Sequence, residues 1–331
     1  MSDKSETFGE YLQGNGVSRR DFLKFCGMMA ATLALPTRYV ETIANALASA
    51  GARLPIIWLE FQDCTGDSES FLRAAPRSDP LQSNLTDPGV TDLLLDFLSL
   101  DYHETVMTPA GAAAEKSLAD AMAKYAGQYI CVIEGSIPTA QNGAFCTIHG
   151  HTALSIARQV TAKAKATVAL GTCAWDGGLA AAAPNPTKAV GVKQAVPGVQ
   201  NLINLPGCPS NVVNLVATLV YYITFKTLPD LDSERRPLYA YGSVIHETCE
   251  RHPHYLAKEF VQNWGDDAHR QGWCLFKMGC KGPVTRTNCN QVKWIDGTSW
   301  PVQAGHGCVG CAAANFWDDL TPIYKSLPPE S

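Results

Sequence analysis

Between residues 54 and 225 short apolar runs, rich in β-branched and aromatic residues, alternate with longer stretches of helical period. The runs predict strands over 56–61, 129–133, 167–170 and 201–205, and the longer stretches predict helices over 91–107, 112–125, 152–165 and 210–225. Thr91 or Asp92 would cap the first helix, and Pro209 suits the start of the last. Such alternation indicates an α/β fold, a parallel sheet with helices on both faces. In these sheets ligands gather beyond the carboxyl ends of the strands.

The two ends of the chain read differently. Residues 18–24, Ser-Arg-Arg-Asp-Phe-Leu-Lys, precede an apolar run from Phe25 to Leu35 and a small-residue stretch from Ala44 to Ala50. A basic region, a short apolar region and a small-residue cut site make a signal peptide over 1–50, and Arg19-Arg20 marks the twin-arginine type. The alternative is an amphipathic N-terminal helix. The twin-arginine route carries proteins already folded, which matters most when a cofactor is inserted before export. From about Leu228, through Pro229 and Arg235-Arg236-Pro237, the texture changes. Long periodic segments vanish over 229–331, where Gly, Pro, Trp and Cys dominate, and a region so poor in regular structure needs covalent or metal staples. No apolar stretch reaches membrane-spanning length; the strongest, 212–225, is too short and contains Asn214 and Thr218.

Composition narrows the class. With 26 Lys+Arg against 31 Asp+Glu the net charge is -5, and removing the leader leaves 21 against 26, so nucleic acid is excluded as the main partner. Of the 331 residues 46% are apolar, ample for a buried core. Twelve cysteines are too few for a small disulfide scaffold and many for an ordinary cytosolic enzyme. Cys26 would leave with the leader, and the odd number remaining tilts the reading from disulfides toward metal.

Three of those cysteines fall where a doubly wound sheet collects ligands. Cys64, Cys173 and Cys208 each follow a predicted strand, and Glu134 follows another, with Gly66, Gly171, Gly177-Gly178 and Gly207 beside them to admit a bulky group. Beyond the linker come His246, Cys249, Cys274, Cys280, Cys289 and the pair Cys308-Val309-Gly310-Cys311. Zinc would take His246, Cys249, Cys274 and Cys280 as a set of four, while iron–sulfur clusters also use thiolates at this spacing and accept a histidine. Cysteine content alone leaves both metals open, and Cys289, Cys308 and Cys311 suit a three-iron cluster.

Taken in order, these motifs resemble the small, electron-transferring subunit of nickel–iron hydrogenases over nearly the whole chain. The resemblance rests on Cys64-Thr65-Gly66-Asp67-Ser68-Glu69-Ser70, Leu100-Asp101-Tyr102-His103-Glu104-Thr105 and Glu134-Gly135-Ser136-Ile137-Pro138. It continues through Gly171-Thr172-Cys173, Pro206-Gly207-Cys208-Pro209 and Gly272-Trp273-Cys274 to Cys280-Lys281-Gly282-Pro283. Gly305-His306-Gly307-Cys308-Val309-Gly310-Cys311 and Phe316-Trp317-Asp318 complete it. It implies a flavodoxin-like domain over 51–228 and a smaller, irregular cluster-binding domain over 229–331. It also implies two [4Fe–4S] clusters and one [3Fe–4S] cluster in a line. The proximal [4Fe–4S] cluster would use Cys64, Cys173, Cys208 and position 67; the distal one, His246, Cys249, Cys274 and Cys280. The medial [3Fe–4S] cluster would use Cys289, Cys308 and Cys311, with Pro301 at its missing ligand position. Cys131 and Cys146 match no ligand position and read as buried thiols.

One residue departs from the family pattern. Cys-Thr-Gly-Cys is replaced by Cys64-Thr65-Gly66-Asp67, so a carboxylate would be the fourth proximal ligand, a harder donor that alters the potential. The alternatives are an open iron or a three-iron form. Gly66 and Gly178 stand where oxygen-tolerant relatives carry two extra cysteines, so tolerance by that design is not expected. The resemblance further implies a nickel–iron centre on a separate large subunit, docked on the Cys64–Phe71 loop and the 91–107 helix. Electrons from H2 would leave for a periplasmic cytochrome c, or a membrane cytochrome b feeding quinone, after export by the twin-arginine translocase. An exported ferredoxin-like carrier and a structural zinc protein are the competing classes.

Overall fold

The computed structural model describes residues 18–49, 53–72, 97–294 and 297–328. Its centre is a five-stranded parallel sheet of β1 (Leu54–Glu60), β2 (Leu98–His103), β3 (Ile130–Glu134), β4 (Ala166–Leu170) and β5 (Leu202–Leu205), in the order β2-β1-β3-β4-β5. That is the doubly wound, flavodoxin-like arrangement. The principal helices are α1 (Arg19–Thr32), α2 (Tyr39–Ala48), α3 (Gly66–Leu72), α4 (Ala112–Lys124), α5 (Ala153–Thr161), α6 (Gly171–Asp176) and α7 (Val212–Phe225).

Alternation along β1 divides the core. Ile56 and Trp58 face α7 together with Val132, Val168 and Ile203, while Ile57 and Leu59 join Cys131, Ile133 and Ala169 under α4 and α5. Both faces are covered, which is why these strands read as near-continuous apolar runs. Cys131 is fully buried in β3 and Cys146 half-buried beside the second core.

Register aligns the strand ends. Glu60 of β1 pairs with Glu134 of β3, Glu134 with Leu170 of β4, and Leu170 with Leu205 of β5. The loops that follow therefore leave one edge together. Cys173 and Cys208 each lie three residues past their strand ends.

The structure corrects the expectations at three places. The helix expected over 91–107 does not run past Phe97, because 98–103 is the edge strand β2; residues 91–96 lie outside the described residues. Leu98, Leu100 and Tyr102 alternate with Ser99 and Asp101, a strand period that a half-exposed edge position disguises as an amphipathic helix. The loop expected over Cys64–Phe71 is largely helix, α3, whose amides are held by Glu134. Helices 152–165 and 210–225 are trimmed to α5 and α7, with Thr152 and Asn211 as side-chain caps.

The N-terminal segment, expected to be a leader, is also structured over 18–49. Ser18 caps α1, and α1 and α2 pack on one another and on α7. Phe22, Phe25, Cys26, Met29, Ile43 and Leu47 are buried in the same core as Trp58 and Val168, and Tyr39 meets Phe225 edge-on at 5.8 Å. Arg19 and Arg20 remain exposed. Among the described residues no helix is long and apolar enough to cross a membrane.

Past α7 the chain runs through short helices and turns around a small core of Ile245, Val261, Leu275, Trp300, Val302 and Cys308. It is tied to the sheet domain by a reciprocal amide pair, Asn214 with Asn288 at 2.9 and 3.0 Å, and by Thr172 Oγ1 donating to the Cys311 carbonyl at 2.5 Å.

Candidate metal centres

All twelve cysteines are free thiols, so disulfides do not staple the C-terminal region. The first group of donors lies beyond the sheet's carboxyl edge. Cys64 precedes α3, Asp67 sits in its first turn, Cys173 lies in α6, and Cys208 follows β5. Asp67 is buried; its Oδ1 accepts the Ser210 N–H at 2.5 Å, and a side chain built on Gly171 would fall 2.1 Å from its Oδ2. Burial, reinforced by the Glu134 charge, pushes the Asp67 carboxyl well above the ordinary range. Burial likewise pushes the Cys173 thiol up to about 11 and Cys208 to about 12, with Asp67 and Cys64 adding to both. A Cβ at Gly66 would stand 3.1 Å from the Cys64 sulfur, and one at Gly178 would stand 2.6 Å from the Cys173 sulfur. Bare glycines thus line the thiols where a bulky group must approach.

Glu134 organises this end of the sheet. Its carboxylate accepts the Asp67 N–H at 2.9 Å, the Ser68 N–H at 3.1 Å and the Trp58 indole N–H at 3.1 Å. The Ser68 hydroxyl lies 2.5 Å from Glu134 Oε2 and 3.2 Å from both Glu60 Oε1 and His103 Nε2. Asp63 and Glu104 complete an acidic cluster. Burial pushes Asp63 up to about 6 and Glu104 up to about 7, and raises Glu60, with neighbouring carboxylates adding to each. His103, buried in the same cluster, is pushed down to about 4 and gives no countercharge at neutral pH. The motifs around Asp101–Thr105 and Glu134–Pro138 carried this cluster in the sequence, but nothing in their spacing assigned it a role.

The second and third groups lie in the C-terminal region. Cys289, Cys308 and Cys311 are mutual neighbours; burial pushes Cys289 up to about 12, and it raises Cys308 and Cys311 as well. The Trp294 indole N–H donates to the Cys289 sulfur at 2.6 Å. Pro301 follows buried Trp300, and its carbonyl accepts the His306 N–H at 2.9 Å. His246 lies within a short 3-10 turn, Ile245–Thr248, that ends at Cys249, with Cys274 and Cys280 near Cys249. Burial pushes Cys249 up to about 12 and Cys274 to about 11, and it also raises Cys280. The His246 ring meets His252 and Tyr255 edge-on at 4.7 and 4.5 Å.

The groups are consecutive. Cys208 and Asp67 neighbour Cys311, and Cys280 neighbours Cys308. Gly307 packs so tightly on Cys280 that a Cβ there would lie 2.9 Å from the Cys280 Cα. Cys64 and Cys208 are exposed, while the other seven thiols of these groups are half-buried or buried; thiols held in that way are costly as bare thiolates, and they become stable donors when iron takes the place of their protons. Soft sulfur donors gathered in three sets of three, in a chain with a flavodoxin-like sheet, define the class of iron–sulfur electron-transfer subunits.

Comparison with known proteins identifies the family. Residues 241–324 match the family of the C-terminal region of NiFe/NiFeSe hydrogenase small subunits, and residues 64–222 match the family of the NADH ubiquinone oxidoreductase 20 Kd subunit. The chain is 46% identical over 320 residues to the periplasmic [NiFe] hydrogenase small subunit 1 of Nitratidesulfovibrio vulgaris, covering 96% of each. It is 45% identical to the quinone-reactive Ni/Fe-hydrogenase small chain of Wolinella succinogenes, covering 96% of this chain and 86% of that one. Among solved structures it resembles the Ni-Fe-Se hydrogenase of Desulfomicrobium baculatum, with a TM-score of 0.74 and 32% identity over 83% of this chain and 100% of that one. The chain belongs to the small subunits of nickel–iron hydrogenases. As such it pairs with a large hydrogenase subunit, carries iron–sulfur clusters and passes on electrons from its partner.

Proposed function

We propose that this subunit relays electrons from H2 oxidation through three clusters held by eleven side chains. Cys64, Asp67, Cys173 and Cys208 hold a proximal [4Fe–4S] cluster. Cys289, Cys308 and Cys311 hold a medial [3Fe–4S] cluster, and His246, Cys249, Cys274 and Cys280 hold a distal [4Fe–4S] cluster. The clusters supply one-electron redox couples; the protein supplies ligation, spacing and potential. The observation that carries the reading is the succession of donor groups, Cys208 beside Cys311 and Cys308 beside Cys280.

Each residue has a task in that relay. Glu134 fixes the first turn of α3 and with it the direction of Asp67. Ser210 binds one carboxylate oxygen of Asp67 and leaves the other for iron. Thr172 ties the Cys173 turn to the Cys311 carbonyl, setting the gap between proximal and medial groups. His246, a neutral nitrogen donor, raises the distal potential relative to four thiolates and favours handover to an acceptor.

The Ser18–Lys24 motif supports export of the folded protein to the periplasm by the twin-arginine translocase. A periplasmic relative favours a cytochrome c acceptor, and a quinone-reactive one a membrane cytochrome b. Iron and acid-labile sulfide analysis of the anaerobically purified heterodimer, with EPR of its oxidised form, tests the assignment. Three clusters per small subunit are expected; a colourless complex without inorganic sulfide overturns it.

A further inference from the structure

Lys281 is the one lysine that is buried among the described residues, with 2% of its surface exposed. It stands between two donor groups. It follows Cys280 directly, its backbone N–H donates to the Cys308 carbonyl at 2.7 Å, and its stem lies against Gly310 of the Cys308–Cys311 loop. A Cβ on Gly310 would sit 3.1 Å from Lys281 Cβ and 3.4 Å from its Cγ. The ammonium donates to the Lys325 carbonyl, and no ion pair to a carboxylate involves it among the described residues. The charged groups that act on it are the Cys280 thiol and the exposed Lys325 ammonium.

A buried cation is retained when an anion compensates its lost hydration. No carboxylate does so here, and a second cation stands close by. What the surroundings do offer is the Cys280 sulfur on one side and the Cys308–Cys311 loop on the other, whose thiols are anionic when bound to iron and more so when the iron is reduced.

We infer that Lys281 is a fixed positive charge shared by the medial and distal donor groups, a positioning residue that holds both potentials up by stabilising their reduced forms. This rests on the cluster assignment proposed above and deepens it. In the step concerned, one electron leaves the medial cluster, which is oxidised, and arrives at the distal cluster, which is reduced; no bond changes and no proton moves. A positive charge beside both partners keeps each reducible while leaving the difference between them small. Lys325 serves by its carbonyl, which accepts the ammonium's hydrogen bond and fixes its position.

Redox titration of the purified heterodimer, followed by EPR, tests this with Lys281→Met and Lys281→Arg. At the wild-type midpoint potential, Lys281→Met should shift the oxidised-to-reduced ratio of the medial cluster about tenfold toward oxidised, about 59 mV for a one-electron couple. The distal ratio should move in the same direction, and Lys281→Arg should restore both. Iron content and the integrated three-iron signal are measured on the same samples. Full cluster content in Lys281→Met with unchanged potentials overturns the inference, as does an equal shift in Lys281→Arg. Loss of iron from Lys281→Met with retention in Lys281→Arg supports the charge requirement, whereas loss from both variants counts against it. Absence of a three-iron signal from the wild type would instead refute the cluster assignment.

Discussion

Asp67 is bound to the loop that carries Cys208: its Oδ1 accepts the N–H of Ser210, two residues past that cysteine, at 2.5 Å. One carboxylate oxygen is therefore committed to the scaffold, and the donor that remains is a single oxygen among three thiols. Asp67→Ala should remove the fourth proximal ligand and cost one iron per chain, converting the cluster toward a three-iron form. Asp67→Cys should keep the iron and lower the proximal potential, since thiolate is the softer, more electron-donating ligand. EPR and Mössbauer spectra identical to wild type in Asp67→Ala would exclude ligation.

Glu134 holds that same carboxylate in place through the backbone. It takes two amide protons of α3 and an indole proton of Trp58, all inside the protein, so its removal strands three buried donors. Glu134→Ala should destabilise the chain by about 2–4 kcal/mol and lower proximal iron occupancy, while leaving the medial EPR signal intact. Thermal unfolding and iron analysis decide it; loss of all three clusters in equal measure would mean that Glu134 supports the fold as a whole.

Much of this arrangement was legible in the chain. Four strands and three helices announced themselves, because strands buried on both faces leave unbroken apolar runs such as Ile130–Ile133. The thiols at the strand ends followed from that. What stayed hidden depends on neighbours far away in sequence. β2 is an edge strand whose Ser99 and Asp101 face partly outward, so its period-two pattern dissolves into the surrounding polar text. Lys281 reads as a surface lysine until Gly310 and the Lys325 carbonyl enclose it. Glu60 and Glu104 gather around Asp63 only once β1 and β2 pair.

His246 sits where electrons would leave. Its ring packs between His252 and Tyr255, with Leu256 exposed close by. His246→Gly should cut the reduction of the acceptor tenfold or more while leaving H2/D2 exchange within about twofold of wild type, because the exchange needs no electron exit. Steady-state H2 oxidation compared with isotope exchange separates the two; equal losses in both would assign His246 to structure.

The N-terminal helix α1, proposed above as part of an export leader, has two unlike faces. Arg19 and Arg20 are exposed, whereas Phe22, Phe25, Cys26 and Met29 are buried against the sheet domain. The paired guanidinium groups thus face solvent, where an export receptor would read them, while most of the apolar run packs on the core and Leu23 and Met28 stay exposed. Arg19→Lys with Arg20→Lys should leave folding unchanged, since both side chains point to solvent, and should hold the precursor in the cytoplasm. Cell fractionation measures this, and undiminished export of the double variant would argue for the amphipathic-helix reading.

Glu104 ties protonation to stability. Its carboxylate accepts the Glu60 N–H at 2.7 Å and the Tyr102 hydroxyl at 3.2 Å, and burial raises it from the ordinary 4.5 to about 7. Below about pH 4.5 the group is protonated in both the folded and the unfolded chain and contributes no slope. Between 4.5 and 7 the folded chain keeps a proton that the unfolded chain has released, so stability falls as pH rises and levels off above about 7. The loss amounts to up to about 3 kcal/mol. Glu104→Gln resembles the protonated form at every pH, so it should match wild type near pH 4 and exceed it at pH 8 by about that amount. Asp63, raised to about 6, and Glu60, also raised, share the cluster and push Glu104 up, so the difference between the two proteins reports Glu104 together with its coupling to them. Denaturation midpoints at pH 4, 6 and 8 give the answer. Parallel curves for the two proteins would mean that Glu104 titrates in the folded chain as it does in the unfolded one.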